Sequence, residues 1–216
     1  MRLSTGFAVL LAMAWATSSY AVQPAVFETT LFGAYHYGGE FDDRGGTFGK
    51  LKLQGGVGYG VSLNLQQTED AYYELNYFKQ SAKIKDSGQY ASVNGASHFN
   101  LDIEYIHVGG LVAFGDPHDR VVPYLLLTVG ATRLIPTGAD FRTVYEPSVA
   151  IGGGVKLPIT KNVGFRVEAR GYATFVDSDS KLYCSRTEDP AISCDILVQS
   201  ATFLQVQALA GVTIGF

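Results

Sequence analysis

The chain has 216 residues, of which 47% are hydrophobic, with 25 glycines, 13 tyrosines, 13 phenylalanines and a net charge of −4. This length suits one domain with a sizeable core. The slightly acidic balance excludes the basic footprint of a nucleic-acid-binding protein, so no nucleic-acid partner is expected. Beyond residue 21, no segment has 18 consecutive apolar residues without a charge, so no transmembrane helix is predicted.

The first 21 residues have the pattern of a secretory signal peptide. Arg2 gives a positive start, and the apolar run 6–16 is too short to span a bilayer comfortably. Ser19 and Ala21 place small residues at the two positions that a signal peptidase needs. We predict that residues 1–21 are removed and that residues 22–216 form the mature domain. An uncleaved helical anchor is the alternative.

Apolar and polar residues then alternate with a period of two in eight successive segments, which predicts strands with one apolar face. The approximate bounds are 27–37, 51–65, 71–78, 99–105, 123–132, 146–157, 163–175 and 201–216. In the fourth segment the alternation weakens from Ile106, where His107, Gly109 and Gly110 predict a bulge.

The connections between these segments alternate in length. Short polar turns follow the second, fourth and sixth segments, and long loops follow the first, third, fifth and seventh. This rhythm is typical of a membrane barrel with periplasmic turns and external loops. Antiparallel closure leaves no unpaired strand edge in the bilayer. We therefore predict an all-β fold, an eight-stranded antiparallel transmembrane up-and-down β-barrel with periplasmic N- and C-termini.

The charges within the strands fall on one face, and the other face is nearly free of charge. In a soluble lipocalin-like barrel the charged face would meet water, whereas in a membrane barrel it lines the lumen. Aromatic residues near the strand ends, a glycine-rich charged face and the terminal Phe216 favour the membrane barrel. The expected lumen charge network is Glu28, Lys52, Glu74, Asp102, Glu104, Lys156, Arg166, Glu168 and Arg170.

The ring of eight strands predicts how these charges meet. The third and seventh strands lie opposite each other, so we expect Glu74 near Arg166 and Glu104 level with Arg170, within a residue or two of shear. Eight strands leave room only for side chains inside the barrel. Paired charges are therefore predicted to plug the lumen. A hydrated polar interior without specific pairing is the alternative.

Two stretches carry a resemblance to a known family. The segment 201–216 alternates to its final Phe216, and it resembles the C-terminal signature strand of bacterial outer-membrane β-barrels. The segment PSVAIGGGVKLPITKNVGFRVEARGYATFVDSDSKLYC, residues 147–184, is similar to outer-membrane β-barrel proteins of little-characterised activity. Over about residues 26–216, the chain resembles small eight-stranded barrels such as the OmpA transmembrane domain and OmpX.

This resemblance implies a location in the outer membrane of a Gram-negative bacterium, with outer-membrane lipid around the barrel. It also implies that Phe216 is an assembly signal for the barrel-assembly machinery. The resemblance is specific for architecture and weak for activity, because such barrels include adhesins, enzymes and small pores.

The two cysteines, Cys184 and Cys194, lie in the last long loop. In an exported protein such a pair predicts a disulfide. A metal site is the alternative, but it would need more soft ligands than the neighbouring Asp189 and Asp195 supply.

Signals for catalysis are weak. His98 follows Ser97, but adjacent strand residues face opposite ways, and no G-x-S-x-G motif occurs. The glycine-rich run 55–60 lacks the Lys-Ser/Thr of a phosphate-binding loop. No catalytic, metal or cofactor site is therefore predicted. We expect a structural or surface-interaction barrel, with a possible extracellular ligand at its loops. The alternatives are a narrow pore for small solutes and a lipid-modifying surface enzyme.

Overall fold

A computed structural model describes residues 27–42, 50–85, 98–115, 119–136, 143–176 and 202–216. No helix among these residues is long and apolar enough to span a membrane. They form ten strands, and all the strand pairings are antiparallel. The strands are β1 (Phe27–Tyr37), β2 (Glu40–Asp42), β3 (Lys50–Leu53), β4 (Gly56–Gln66), β5 (Ala71–Lys85), β6 (His98–Ala113), β7 (Val122–Pro136), β8 (Val144–Pro158), β9 (Val163–Thr174) and β10 (Phe203–Gly215).

Eight of these strands close into a barrel in the order β1, β4, β5, β6, β7, β8, β9 and β10, and β10 pairs back onto β1. A row of ladder partners that starts at Gly215 of β10 passes through all eight strands and returns to β10 at Gln205, ten residues away. With usual strand dimensions, this stagger tilts the strands by about 40°. The predicted eight-stranded antiparallel barrel is confirmed.

The second predicted strand differs from the structure because it is broken in two. Gln54 and Gly55 separate β3 from β4. Across this break the ladder to β5 shifts by one residue, since Gly58 pairs with Gln80 but Leu53 pairs with Ile84. The short hairpin of β2 and β3 therefore extends the wall beyond the closed barrel.

The bulge predicted in the fourth strand is wrong. The ladder between β5 and β6 runs without interruption from the Ala71–Val112 pair to the Lys85–His98 pair. Gly109 serves a close approach between strands instead. A Cβ atom there would lie 2.1 Å from the carbonyl oxygen of Leu127 on β7.

One end of the barrel, here called the turn end, carries the short connections, and the opposite end is called the loop end. Two of the turns are stabilised by the same hydrogen bond from a backbone amide to a threonine hydroxyl. Thr68 Oγ1 accepts the amide of Ala71 at 3.1 Å, and Thr160 Oγ1 accepts the amide of Val163 at 3.0 Å. Each threonine hydroxyl thus satisfies the first backbone donor of the next strand, which favours the tight reversal.

Candidate functional site

The centre of the lumen holds four charged side chains, here called the quartet: Glu74, Arg166, Glu168 and Arg170. Glu74 comes from β5, and the other three occupy alternate positions of β9 and so share its inner face. The strand order places β5 and β9 four strands apart in the ring of eight. The glutamate therefore faces the arginines across the barrel, and the structure brings Glu74 and Arg166 together.

Each arginine of the quartet bridges both carboxylates. Arg166 Nη2 lies 2.8 Å from Glu74 Oε2 and 2.7 Å from Glu168 Oε2. Arg170 Nη2 lies 3.0 Å from Glu74 Oε1, and Arg170 Nε donates to Glu168 Oε1 at 2.6 Å. All four side chains are 0% exposed. The two cations and two anions in this closed arrangement balance one another.

Uncharged side chains add hydrogen bonds to Glu74, Arg166 and Glu168, whereas Arg170 Nη1 has no hydrogen-bond partner among the described residues. Asn64 donates to Glu74 at 3.2 Å and accepts from Arg166 Nη1 at 3.0 Å. The Tyr124 hydroxyl accepts from Arg166 Nε and donates to Glu168 Oε2, both at 2.7 Å. These contacts matter because a buried ion pair is stable only when its remaining donors and acceptors are satisfied.

Aromatic rings enclose the two guanidinium groups. The Arg166 guanidinium carbon lies 4.6 Å from the Tyr124 ring centroid and 5.3 Å from that of Phe32. The corresponding distance from Arg170 to the Phe78 ring is 5.2 Å. Cation–π contacts of this kind strengthen where water is absent. The rings also fill the cross-section of the lumen that the charges leave.

Two glycines of β8 make room for the quartet. A Cβ atom on Gly154 would lie 2.6 Å from the Tyr124 hydroxyl and 2.2 Å from the carbonyl oxygen of Val167. A Cβ atom on Gly152 would lie 3.3 Å from Arg170 Cγ. A larger residue at Gly154 would therefore displace the tyrosine that joins Arg166 to Glu168.

A second polar layer lies on the loop side of the quartet. His107 Nε2 is 2.9 Å from Ser148 Oγ, and its Nδ1 is 3.1 Å from Thr128 Oγ1. Gln205 Oε1 accepts hydrogen bonds from Gln80, at 2.6 Å, and from the Tyr105 hydroxyl. The His107–Ser148 contact has the atoms of a nucleophile and a base. Both residues are buried, however, and the third partner is a threonine, not a carboxylate.

Further towards the loop end, the lumen becomes apolar. Its buried side chains there come from five different strands and from the segment just after β9, and they belong to one hydrophobic cluster: Leu53, Ala82, Leu101, Ile103, Leu134, Val176 and Phe203. Sequence reasoning expected a polar lumen throughout. The barrel interior instead is ionic at its centre and apolar at its loop end, and a second buried apolar cluster, which includes Leu111, Val122 and Leu126, lies on the turn side.

On the turn side of the quartet, Lys156 Nζ lies 2.7 Å from Glu28 Oε2 and 3.8 Å from the Tyr72 ring centroid. These residues line an open cavity of about 690 Å³ at the turn end. None of the quartet residues lines this cavity. The cavity at the turn end therefore ends before it reaches the quartet.

Two residues expected in the lumen lie outside it. Leu101, Ile103 and Tyr105 of β6 are buried inside the barrel, so Asp102 and Glu104 between them lie on the outer face. The expected pairing of Glu104 with Arg170 is therefore wrong. The physical reason is that the interior is apolar at this level, where Ile103 and Leu134 are fully buried, and an unpaired charge there would be costly.

Several predicted features have side chains, or whole segments, outside the part that the structure describes. Lys52 lies on β3, beyond the closed barrel, and only its backbone is described. The same holds for His98. The signal peptide of residues 1–21 and the residues Ser97, Cys184 and Cys194 all lie outside the described residues. Within the described segments no group of three or more potential metal ligands is found.

The uncharged members of the site, such as Tyr124, Asn64, Phe32 and Phe78, were not predicted from the sequence. All four lie at positions whose alternation places them on the charged face, which was the available signal. Their contact with the quartet depends on the stagger of the strands. A single sequence does not determine this stagger.

Comparison with solved structures identifies the architecture. Neisserial surface protein A superimposes with a TM-score of 0.53 at 16% identity, over 88% of this chain and 97% of that one. OprG, an outer-membrane protein of Pseudomonas aeruginosa, has a TM-score of 0.58 at 9% identity, over 89% and 96%. The fold is that of the small eight-stranded outer-membrane barrels. The outer-membrane protein AlkL agrees, with a TM-score of 0.50 at 12% identity, over 94% and 95%.

These structural similarities establish the outer-membrane barrel fold and nothing beyond it. No model of a known protein family matches the sequence, and neither does any curated protein sequence. At these levels of identity, structural similarity establishes the fold and leaves catalysis and binding undecided, because one fold hosts many activities.

Proposed function

We propose that the protein is an outer-membrane barrel of structural or surface-interaction type, whose lumen is closed and whose loops meet the partners. The single observation that carries this proposal is the quartet. Its four charged side chains span the lumen from β5 to β9 and are fully buried. Ions that crossed this layer would have to displace arginines that hold two carboxylates each, at several kcal/mol per uncompensated charge.

The outer face supports a location in the membrane. Apolar side chains point outward from all eight barrel strands, and they are well exposed, for example Leu31, Leu75, Val129 and Ile151. A continuous apolar belt of this kind suits lipid and would be a liability in water. We infer insertion in the outer membrane of a Gram-negative bacterium, with the turn end and both chain termini in the periplasm.

Planar bilayer recordings test the closed lumen. The purified protein should give no steady conductance, whereas a general porin measured in the same bilayer should. An Arg166→Ala, Arg170→Ala double variant is a useful comparison, since it removes both cations of the quartet. If the variant folds and conducts while the wild type does not, the quartet is the barrier. A small but steady wild-type conductance would overturn the proposal in favour of the narrow-pore alternative, and a steady conductance of porin size would overturn both.

A surface enzyme that modifies lipid is a separate alternative. The absence of catalysis is part of our proposal, and it rests on the buried, carboxylate-free setting of the His107–Ser148 contact. Lipid profiles of cells that overproduce the protein test it. Wild-type cells and cells with a His107→Gln variant should have identical profiles. A modified lipid that appears only with the wild type would contradict the proposal.

A further inference from the structure

The mouth of the barrel at the turn end contains the open cavity of about 690 Å³, here called the turn-end cavity. All eight barrel strands contribute to its lining, together with the turn between β4 and β5 and the turn between β8 and β9. Its volume is in the range of sites that bind small molecules. The quartet lies deeper in the lumen and does not line it. The turn-end cavity is therefore a candidate binding site that the closed lumen does not use.

The charged groups of the turn-end cavity favour a cation. Three carboxylates, Glu28, Glu69 and Asp70, line it together with the two ammonium groups of Lys156 and Lys161. Glu28 and Lys156 neutralise each other at 2.7 Å. Glu69 and Asp70 are exposed, and they form no ion pair within the described part of the chain. Two accessible carboxylates thus remain on one rim of the cavity, and they attract positive charge.

The turn that carries these two carboxylates is held in place by hydrogen bonds. The Gln67 amide donates to the Ala71 carbonyl oxygen at 2.8 Å. The Asp70 carbonyl oxygen accepts the amide of Ala113 on β6 at 2.7 Å. A fixed turn loses little conformational freedom when a ligand binds, which favours binding at this rim.

The inner wall of the turn-end cavity is largely apolar. Ala113 and Val122 are 8% and 5% exposed and belong to the same buried cluster as Tyr72. All three residues line the cavity. A ligand that fits both the rim and this wall combines one positive group with small apolar groups.

The chain itself contains a segment of this chemistry. If residues 1–21 are removed as predicted, residues 22–26, with the sequence VQPAV, precede β1. None of these five side chains is charged, and only Gln23 is polar. The new α-amino group at Val22 is mainly protonated at neutral pH, so it is the single charge of the segment. Pro24 restricts the backbone and so lowers the entropy that docking would cost.

The segment begins at the edge of the turn-end cavity and is long enough to cross it. Phe27, the first residue of β1, is the ladder partner of Leu65, and the next residue on β4, Gln66, lines the cavity. Five extended residues span at most about 17 Å. Eight strands with a stagger of ten residues give a barrel about 16 Å in diameter. The α-ammonium can therefore reach either rim.

We infer that residues 22–26 dock in the turn-end cavity, with the Val22 α-ammonium against Glu69 and Asp70. Because the segment is tethered at Phe27, its effective concentration at the cavity is high, and individually weak contacts are sufficient. In the precursor, residue 22 is joined to Ala21 by an uncharged amide. Docking therefore follows removal of the signal peptide, and it covers the mouth of the barrel at the turn end.

Nuclear Overhauser spectroscopy of the mature protein in uncharged detergent micelles tests the inference. Intact mass first establishes that the purified chain begins at Val22. With methyl groups labelled by residue type, the Val22 and Val26 methyls should give cross-peaks to the methyls of Ala113 and Val122. Their signals should also be displaced from those of a synthetic peptide of residues 22–27.

A charge-neutral variant separates the ammonium contact from apolar docking alone. The double variant Glu69→Gln, Asp70→Asn should lose most of the cross-peak intensity, by about fivefold or more, because the two carboxylates are gone. Asp119→Asn is the matched control and should leave the intensity unchanged. Asp119 lies in the turn between β6 and β7 at the same end of the barrel, but it does not line the cavity. Both changes affect exposed turn residues, so the barrel fold should be retained.

Three results would overturn the inference. The first is a set of narrow, peptide-like signals for residues 22–26 without cross-peaks to the cavity, which would leave the cavity open to a separate periplasmic ligand. The second is full cross-peak intensity in the folded Glu69→Gln, Asp70→Asn variant. The third is a mature chain that keeps residues 1–21. The proposed closed lumen has its own readout in bilayer conductance, so the two proposals can fail independently.

Discussion

Phe216, the last residue of the chain, forms a reciprocal backbone pair with Phe27, the first residue of β1. The Phe27 amide donates to the Phe216 carbonyl oxygen at 3.2 Å, and the Phe216 amide donates to the Phe27 carbonyl oxygen at 2.8 Å. This pair closes the seam between β1 and β10 at the turn end. The Phe216 ring is 75% exposed there, at the rim where interfacial aromatic residues are favoured.

Deletion of Phe216 should therefore lower the amount of protein in the outer membrane. The deletion removes both hydrogen bonds of the seam and the aromatic ring at the rim, and the family resemblance adds a lost assembly signal. Membrane fractionation with immunoblotting measures the effect, and Phe216→Tyr is the control that keeps ring and backbone. Equal membrane levels of the truncated and full-length proteins would count against this role for Phe216.

Arg166→Ala should destabilise the barrel by about 3–5 kcal/mol, since it leaves buried carboxylates undercompensated. Reversible urea unfolding in lipid vesicles measures the free energy. A double variant with Glu74→Gln and Arg166→Ala restores the charge balance of the lumen. Its loss of unfolding free energy should therefore be smaller than the sum of the losses of the two single variants, by about 1 kcal/mol or more. Strictly additive losses would contradict the coupling of Glu74 with Arg166 across the lumen.

Arg133→Ala provides the matched control for that series. It also removes an arginine from an ion pair with a glutamate, but Arg133 is partly exposed on the outer face. Its loss should cost about 1 kcal/mol or less in the same vesicles. Equal losses of unfolding free energy for Arg133→Ala and Arg166→Ala would mean that burial in the lumen does not increase the cost of removing an arginine from its ion pair.

Gly154→Ala should destabilise the barrel by about 1–3 kcal/mol through overpacking. The added methyl group would meet the Tyr124 hydroxyl at 2.6 Å and force it away from Arg166 and Glu168. Gly33→Ala is the control, because the nearest atom to a Cβ there is 3.9 Å away. It should be neutral or slightly stabilising. A Gly154→Ala variant as stable as Gly33→Ala would show that the Tyr124 position is not constrained.

The alternation of side chains was enough to predict the barrel. Lipid and lumen impose opposite requirements on successive residues, so each strand carries its own signal in the sequence. The same rule placed Glu74 and Arg166 on facing strands. It could not supply the Asn64 and Tyr124 contacts, because these depend on a stagger of ten residues that is a property of the closed ring.

The misplacement of Asp102 and Glu104 has a specific cause. In β6 the apolar residues occupy odd positions up to Tyr105, and the next two, Ile106 and Val108, occupy even positions. Such a change of parity has two explanations, an inserted residue or a change of surroundings. The uninterrupted ladder between β5 and β6 selects the second. Where a barrel leaves the hydrocarbon, its apolar residues turn inward and its charges turn outward, with no irregularity in the backbone.

The orientation of the barrel can be tested by labelling cysteines on intact cells with a membrane-impermeant maleimide. If the loop end faces outward and Cys184 and Cys194 form a disulfide, the wild type should be labelled only after mild reduction. Lys161→Cys, placed in the exposed turn between β8 and β9 of a Cys184→Ser, Cys194→Ser background, should stay unlabelled until the outer membrane is permeabilised. Labelling of Lys161→Cys on intact cells would reverse the proposed orientation, and labelling of the wild type without reduction would refute the disulfide.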